Sequence, residues 1–572
     1  MNAKLIYEQW LNSPVYDDEI KKELIQLKGD DKEIEERFYK ELEFGTAGLR
    51  GIIGAGTNRM NKYTVRKATQ GLSNYILSQH LEGKGVAIAY DSRNMSPEFA
   101  METACCFAAN GIKAYLFESL RPTPELSFAV RFYECVAGVN VTASHNPPEY
   151  NGYKVYWSDG AQITPPHDLG IMDEVRGVKA EEMKTISKEE ALESNLLNFI
   201  GEEVDEAYLR ELEQLVFQKD VIREFQDQIK IVYTPLHGTG NIPVREILKR
   251  VGFSNVFVVK EQELPDGNFP TVSYPNPETQ EAFMLGLQLA KKIGADLILA
   301  TDPDADRLGV YVLDKNGEYH SLTGNMSGCL LGEYVLSQYQ EKNLVPDDGF
   351  VVRSIVTTRM LDAIAKGYHV DLVEVLTGFK FIGQKILESE TSGKGKYLFG
   401  MEESYGCLPG TYARDKDAVV ASMILCEMAA FYKSKNQTLW DGMLSLYERF
   451  GYYEDQILSA TMEGKDGLTK IQQIMEQLER EERSEIGGFK VLRKRNYQTG
   501  IIDNYEFGIQ EKTNLPQTNA LYFDLEGDGF ACVRPSGTEP KIKVYYGVKG
   551  VSLTDAKDKS EQLKQGVSTL VR

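Results

Sequence analysis

At 572 residues the chain exceeds what one hydrophobic core supports and suits about four domains of ordinary size. Its 42% hydrophobic and 10% aromatic residues can fill substantial cores, which excludes global disorder, and a net charge of -21 argues against nucleic acid or an anionic membrane as a general partner. Seven cysteines, with Cys105 and Cys106 adjacent, show no paired zinc spacing, so reduced, mostly buried thiols are expected.

The N-terminus, Met1 to Glu8, has no signal-type apolar stretch, and no run approaches the ~20 apolar residues of a membrane span; a soluble, cytoplasmic protein is expected. Asp17 to Lys40 carries charges at helical spacing and predicts an N-terminal helical extension without catalytic duty. A set of three short apolar runs then recurs three times, each run ending in a polar loop. The first set is Val86 to Tyr90 ending in Asp91-Ser92-Arg93, Ala114 to Phe117 ending near Arg121-Pro122-Thr123-Pro124, and Val139-Asn140-Val141 ending in Thr142-Ala143-Ser144-His145-Asn146-Pro147. An acidic, mixed-charge stretch from Glu181 to Gln218 reads as an exposed helical connector.

The second set is Lys230 to Tyr233 ending in His237-Gly238, Val256 to Val259 ending near Pro265-Asp266-Gly267, and Leu297 to Ala300 ending in Thr301-Asp302-Pro303-Asp304-Ala305-Asp306-Arg307. The third is Phe350 to Val356, Val373 to Leu376 ending in Thr377-Gly378-Phe379-Lys380, and Lys396 to Phe399 ending in Glu402-Glu403-Ser404-Tyr405-Gly406. Runs separated by helix-length stretches predict triplicated α/β domains with parallel or mixed sheets. Towards the C-terminus, Leu468 to Arg480 reads as an amphipathic helix and Thr554 to Arg572 as a closing helix capped at Ser552. The expected domains are 1–205, 206–320, 321–446 and 447–572.

Ligands in open α/β sheets gather outside the carboxyl ends of strands, so the third loop of each set is expected at one cleft. Asp302, Asp304 and Asp306 read either as a solvated acidic turn or, in an extended loop, as three carboxylates thrown to one side, where hard oxygen ligands suit one Mg²⁺ with coordination left for a phosphate oxygen. Ser144 reads either as part of a turn or as a nucleophile, with His145, Lys154 and the Asp302 loop as three sources of activation. A fourth loop, Arg534-Pro535-Ser536-Gly537-Thr538-Glu539-Pro540-Lys541, reads either as a hairpin turn with a chance arginine or as a planar cation, short hydroxyls and glycine-freed amides set together, as a phosphate dianion requires. His237 reads as structural, and His80, His167, His320 and His369 join no constellation.

Phe44-Gly45-Thr46-Ala47-Gly48-Leu49-Arg50-Gly51, Thr142 to Pro147, Asp302 to Arg307, Gly400 to Gly406 and Arg534 to Pro540, in that order, resemble the α-D-phosphohexomutase superfamily, and within it the chain is similar to the phosphoglucomutases. The resemblance implies a heart-like arrangement of three related α/β domains and a smaller α+β C-terminal domain. It implies a phosphoserine at Ser144, Mg²⁺ on Asp302, Asp304, Asp306 and an oxygen of that phosphate, and glucose 1,6-bisphosphate as activator and intermediate. His145 and Lys154 would assist proton transfer, and Arg307 would neutralise the phosphoserine. Thr377 and Gly378 match the sugar-binding loop, with Phe379 where the family often has tryptophan; Glu402 and Ser404 match the hydroxyl-reading loop. Arg534, Ser536, Gly537 and Thr538 would clamp the distal phosphate, and Arg50 and Lys416 would add cationic contacts. Glucose, mannose and pentose phosphates all suit these motifs, so a phosphomannomutase or phosphopentomutase is the alternative, with a phosphoserine sugar phosphatase or a non-catalytic sensor behind it. The expected partners are hexose phosphates, to a monomer or a homodimer.

Overall fold

The computed structural model describes residues 2–42, 48–462, 465–535 and 541–571. Phe44 to Ala47 and Ser536 to Pro540, which belong to two of the motifs above, lie outside the described residues. The chain gathers into two compact units, one of Met1–Gly324, Phe379–Lys394 and Ser404–Leu439, the other of Asn325–Gly378, Gly395–Glu403 and Trp440–Arg572.

In the first unit the N-terminal extension is three helices, α1 (Ala3–Asn12), α2 (Asp18–Gln26) and α3 (Asp31–Phe38). Side chains of Asn2, Asp17 and Asp30 accept from the amides of Leu5, Ile20 and Glu33, satisfying donors that each first turn leaves open. The helices close on an aromatic cluster in which Trp10 stacks on Tyr16 at 4.1 Å and meets Phe38 edge-on. α1 lies outside the stretch predicted helical, because its signal is this buried apolar face rather than a charge pattern.

Next come β1 (Leu49–Ile52), α4 (Lys62–Ser78), β2 (Val86–Tyr90), α5 (Ser96–Ala109), β3 (Ala114–Phe117), α6 (Thr123–Phe132), β4 (Ala137–Val141), β5 (Tyr150–Trp157) and β6 (Leu197–Ile200). They form one sheet in the order β1-β5-β4-β2-β3-β6. β2 runs parallel to β3 and β4 on its two sides, and β5 turns back antiparallel to β4. The stretch read as an exposed helical connector does hold helices, but it is not simply exposed: β6 pairs parallel with β3, and helix Glu202–Gln214 buries Val204, Tyr208 and Leu212. Its dense charges mask an apolar stripe at helical spacing.

The second set follows the same plan. β7 (Ile231–Thr234), β8 (Val256–Val258), β9 (Leu297–Thr301), β10 (Leu308–Leu313) and β11 (Tyr319–Leu322) form a sheet in the order β11-β10-β9-β7-β8. Again the first strand is central, the second and third flank it in parallel, and the fourth returns antiparallel to the third. β7 and β9 are buried along their whole length, which explains their unbroken apolar runs; each fully buried Val, Ile or Leu contributes ~1.5–3 kcal/mol of transfer free energy. The Ser144 loop joins β4 to β5 and the Asp302 loop joins β9 to β10, so the two loops occupy equivalent positions in two copies of one topology.

In the second unit β12 (Gly349–Ser354) pairs in parallel with β13 (Asp371–Val375) and β14 (Lys396–Glu402), the third appearance of the plan. The C-terminal sheet is antiparallel and is covered by helices Lys465–Arg480 and Leu553–Val567, the latter capped by Ser552 accepting from the Asp555 amide. Arg495 ties the two sheets together, donating to Glu374 at 2.7 Å and to both Asp524 oxygens at 2.8 Å.

Candidate active site

Ser144 lies three residues past the end of β4, in the loop to β5, with φ of 51°, a left-handed conformation that a β-carbon disfavours and that its surroundings must hold. They do so through Asp91 and Arg93, the loop after β2. The Asp91 carboxylate accepts from the hydroxyls of Thr142 (2.6 Å) and Ser96 (2.7 Å), and Thr142 Oγ1 accepts from the Ser144 amide at 2.8 Å. The Arg93 guanidinium, 1% exposed, donates to the carbonyls of Ser144, Asn146, Pro147 and Tyr150 and lies 5.0 Å from the Phe269 ring centre. Burial pulls its pKa down to about 10, which leaves it charged at neutral pH. These two were legible only as a polar end to a strand; their task depends on the packing of β2 beside β4.

Ser144 Oγ donates to Asp302 Oδ2 at 2.7 Å and lies 3.1 Å from His145 Nδ1. Burial, reinforced by Arg307 and Arg50, holds the His145 pKa well below the usual imidazole range. Arg50, on β1, donates to Asn146 Oδ1 at 2.7 Å.

The other side of the site is the β9–β10 loop. Asp302 Oδ1 accepts from the amides of Asp306 and Arg307, both at 3.1 Å, and Ala305 takes φ of 50° to make the tight return. Asp302, Asp304 and Asp306 are all buried, and one oxygen from each lies within 4.8 Å of the others. Oδ1 of Asp304 and of Asp306 has no hydrogen-bond partner. Three converging carboxylates with unsatisfied buried oxygens match the donor set of a hard divalent cation. Burial and the charges of Asp304 and Asp306 push the Asp302 pKa well up, whereas Lys154 holds Asp304 low against the effect of burial.

Lys154 projects from β5 to within 2.8 Å of Asp304 Oδ2 and 3.8 Å of Asp306. Lys416 reaches Asp306 at 3.3 Å and Asp415 at 3.1 Å, and its ammonium lies 5.5 Å from the Phe379 ring centre. Asp415, passed over in the sequence, also accepts from Tyr156 Oη (2.9 Å) and Gln162 Nε2 (3.0 Å). Arg307 pairs with Glu278 at 2.6 Å. The His237 ring nitrogens lie 3.0 Å from Leu264 O and from Thr271 Oγ1.

Four family profiles match in order: phosphoglucomutase/phosphomannomutase alpha/beta/alpha domain I over residues 41–182, domain II over 206–317, domain III over 323–450 and the C-terminal domain over 463–556. The chain belongs to this family. It is 38% identical to a Staphylococcus saprophyticus protein named phosphoglucomutase over 515 residues, covering 90% of this chain and 91% of that one. It is 36% identical to a Staphylococcus aureus protein of the same name over 532 residues, covering 92% and 93%. Among solved structures, a phosphoglucomutase, pp63/parafusin from Paramecium, superimposes with a TM-score of 0.68 at 18% identity, over 93% of this chain and 96% of that one. A structure titled putative phosphomannomutase from Thermus thermophilus gives 0.67 at 20% identity, over 92% and 100%.

Thr377, Gly378, Glu402 and Arg534, also carried over from family motifs, lie in the second unit. Glu402, at the end of β14, accepts from the Gly378 amide at 2.7 Å, and Gly378 has φ of 119°, so these two loops brace one another. Thr377 Oγ1 is buried without a hydrogen-bond partner. Arg534 is the penultimate residue of strand Gly529–Pro535, opposite Lys543, while Ser536, Gly537 and Thr538 lie outside the described residues. Ser404 is half-buried in the first unit. All seven cysteines are buried thiols, and among the described residues no helix is long and apolar enough to cross a membrane.

Proposed function

We propose that the protein is a phosphoglucomutase, interconverting α-D-glucose 1-phosphate and glucose 6-phosphate through a phosphoserine at Ser144 and a glucose 1,6-bisphosphate intermediate. The observation that carries this reading is the 2.7 Å hydrogen bond joining the Ser144 hydroxyl to a buried, cation-competent carboxylate cluster. Relatives named phosphoglucomutase, 36–38% identical over at least nine-tenths of both chains, support the choice of sugar.

In this reading the phosphoryl group leaves Ser144 Oγ for the free hydroxyl of a hexose monophosphate. The bisphosphate turns over in the site and returns its other phosphoryl group to Oγ. Asp302, Asp304, Asp306 and an oxygen of the phosphoserine would hold Mg²⁺, which when bound stabilises charge on the oxygens of the group in flight. His145, beside Oγ, and Lys154, at the carboxylate cluster, carry the hydroxyl protons. Arg307 and Arg50 balance the phosphoserine charge, and Lys416 adds a cation beside Asp306. Thr377, Gly378, Glu402 and Ser404 read the sugar, and Arg534 with Ser536, Gly537 and Thr538 clamps the distal phosphate. The net charge of -21 repels sugar phosphates at long range, so capture rests on these local cations. The same reading gives a cytoplasmic enzyme, monomer or homodimer, with domains 1–205, 206–320, 321–446 and 447–572.

The test is intact mass before and after incubation with glucose 1,6-bisphosphate and Mg²⁺, with glucose 1-phosphate conversion followed in parallel. One added phosphate, absent in Ser144→Ala together with isomerisation, is the expected result. Full activity in Ser144→Ala refutes the phosphoserine, and a dominant rate on mannose 1-phosphate or ribose 1-phosphate refutes the sugar.

A further inference from the structure

Thr123 begins α6 and stands 181 residues from Asp304 in sequence, yet it contacts that residue twice. Its amide donates to Asp304 O at 2.9 Å and its hydroxyl donates to Asp304 Oδ2 at 2.8 Å. A threonine hydroxyl has one proton and an ionised carboxylate only accepts, so that proton is committed to Asp304. Thr123 Oγ1 in turn accepts from Asn140 Nδ2 at 2.7 Å, and Thr123, Asn140 and Asp304 are each 0% exposed. Asp304 Oδ2 thus takes two donors, Thr123 Oγ1 and Lys154 Nζ, while Oδ1 is buried with none.

A freely turning carboxylate would offer either oxygen to a cation; this one is pinned by Oδ2 and presents Oδ1. We propose that Thr123, backed by Asn140, is a positioning residue that sets the orientation of Asp304 as a metal ligand. The inference rests on the reading of Asp302, Asp304 and Asp306 as a cation site. Lys154 cannot supply the orientation alone, because a long ammonium side chain also drawn toward Asp306 at 3.8 Å is a movable point charge. The threonine is short, lies on a helix, and is held from behind by an amide. It also links the domain I match to the domain II loop, so the cation site is finished by a residue from outside its own domain.

The experiment is titration of the full chain with Mn²⁺, read by the loss of the free-ion electron paramagnetic resonance signal, in wild type, Thr123→Val, Thr123→Ser and Asp302→Ala. Thr123→Val keeps the shape and removes the donor, and is expected to weaken Mn²⁺ binding ~10–100-fold, the usual effect of losing an outer-sphere partner. Thr123→Ser restores the donor and is expected within about threefold of wild type, a rescue that loss of packing would not produce. If Thr123→Val does not fold, Thr123→Ala carries the same expectation. Binding by the folded donor-less variant within about threefold of wild type overturns the proposal. Wild-type binding that Asp302→Ala leaves intact overturns the cation-site reading itself, a result separable from an unaffected Thr123 variant.

Discussion

Replacing Arg93 tests whether the Ser144 loop is held by one buried guanidinium. Arg93 faces Asp91 at 3.5 Å, both side chains 0% exposed, and spreads its donors over four main-chain carbonyls. Arg93→Met leaves Asp91 without its counter-charge and the carbonyls without donors; removing one partner of a buried pair costs ~3–5 kcal/mol. The lower part of that range is expected, because Asp91 keeps bonds from Thr142, Ser96 and the residue 93 amide. Arg93→Lys restores the charge but not the planar fork, and is expected to lose ~1–2 kcal/mol. With the cradle gone, Ser144 can relax from φ of 51° toward the β region, moving Oγ off the phosphoryl line. A misplacement of that kind costs ~100-fold in kcat. Urea unfolding midpoints, with phosphate incorporation and turnover on the same samples, measure both effects. A loss below ~1 kcal/mol in Arg93→Met with unchanged turnover would refute the argument.

Two further predictions follow from the packing. A β-carbon on Gly238 would lie 2.5 Å from Pro303 Cα and 2.7 Å from Pro303 O, and that backbone belongs to the Asp302 loop; Gly238→Ala is therefore expected to lower stability by ~1–3 kcal/mol and weaken Mn²⁺ binding, both read by titrations on one preparation. Asp455, in strand Tyr452–Thr461, has its pKa raised by burial to about 7 despite a hydrogen bond with Thr358. A raised carboxyl pKa means that stability is fully present at low pH and is lost as pH rises to about 7, and with partial exposure the loss is ~2 kcal/mol between pH 4 and 7. Asp455→Asn should remove that slope, visible as a higher unfolding midpoint than wild type at pH 8 and convergence toward it at pH 4.

Apolar runs such as Leu297 to Ala300 mark buried strands because a strand covered on both faces leaves no room for alternation, and the residues closing each run are local in sequence. The kinds of chemistry at the site, a serine beside a histidine and an alternating aspartate triplet, were therefore readable from the sequence alone, as was the three-fold recurrence of the runs. The edge strand Leu197–Ile200 was not, since short edge segments within charged stretches take their structure from the neighbour they pair with. Nor was the left-handed turn at Ser144, a conformation serine does not choose and Arg93 imposes from 51 residues away. Lys154 and Thr123 lie 150 and 181 residues from the aspartate they share. Composition and motif determine which groups are available, because strand propensity and loop chemistry act over a few residues. Which oxygen of Asp304 is spent on hydrogen bonds and which is left without one is decided only when two sheets of the same topology bring β5, α6 and the β9–β10 loop to one place.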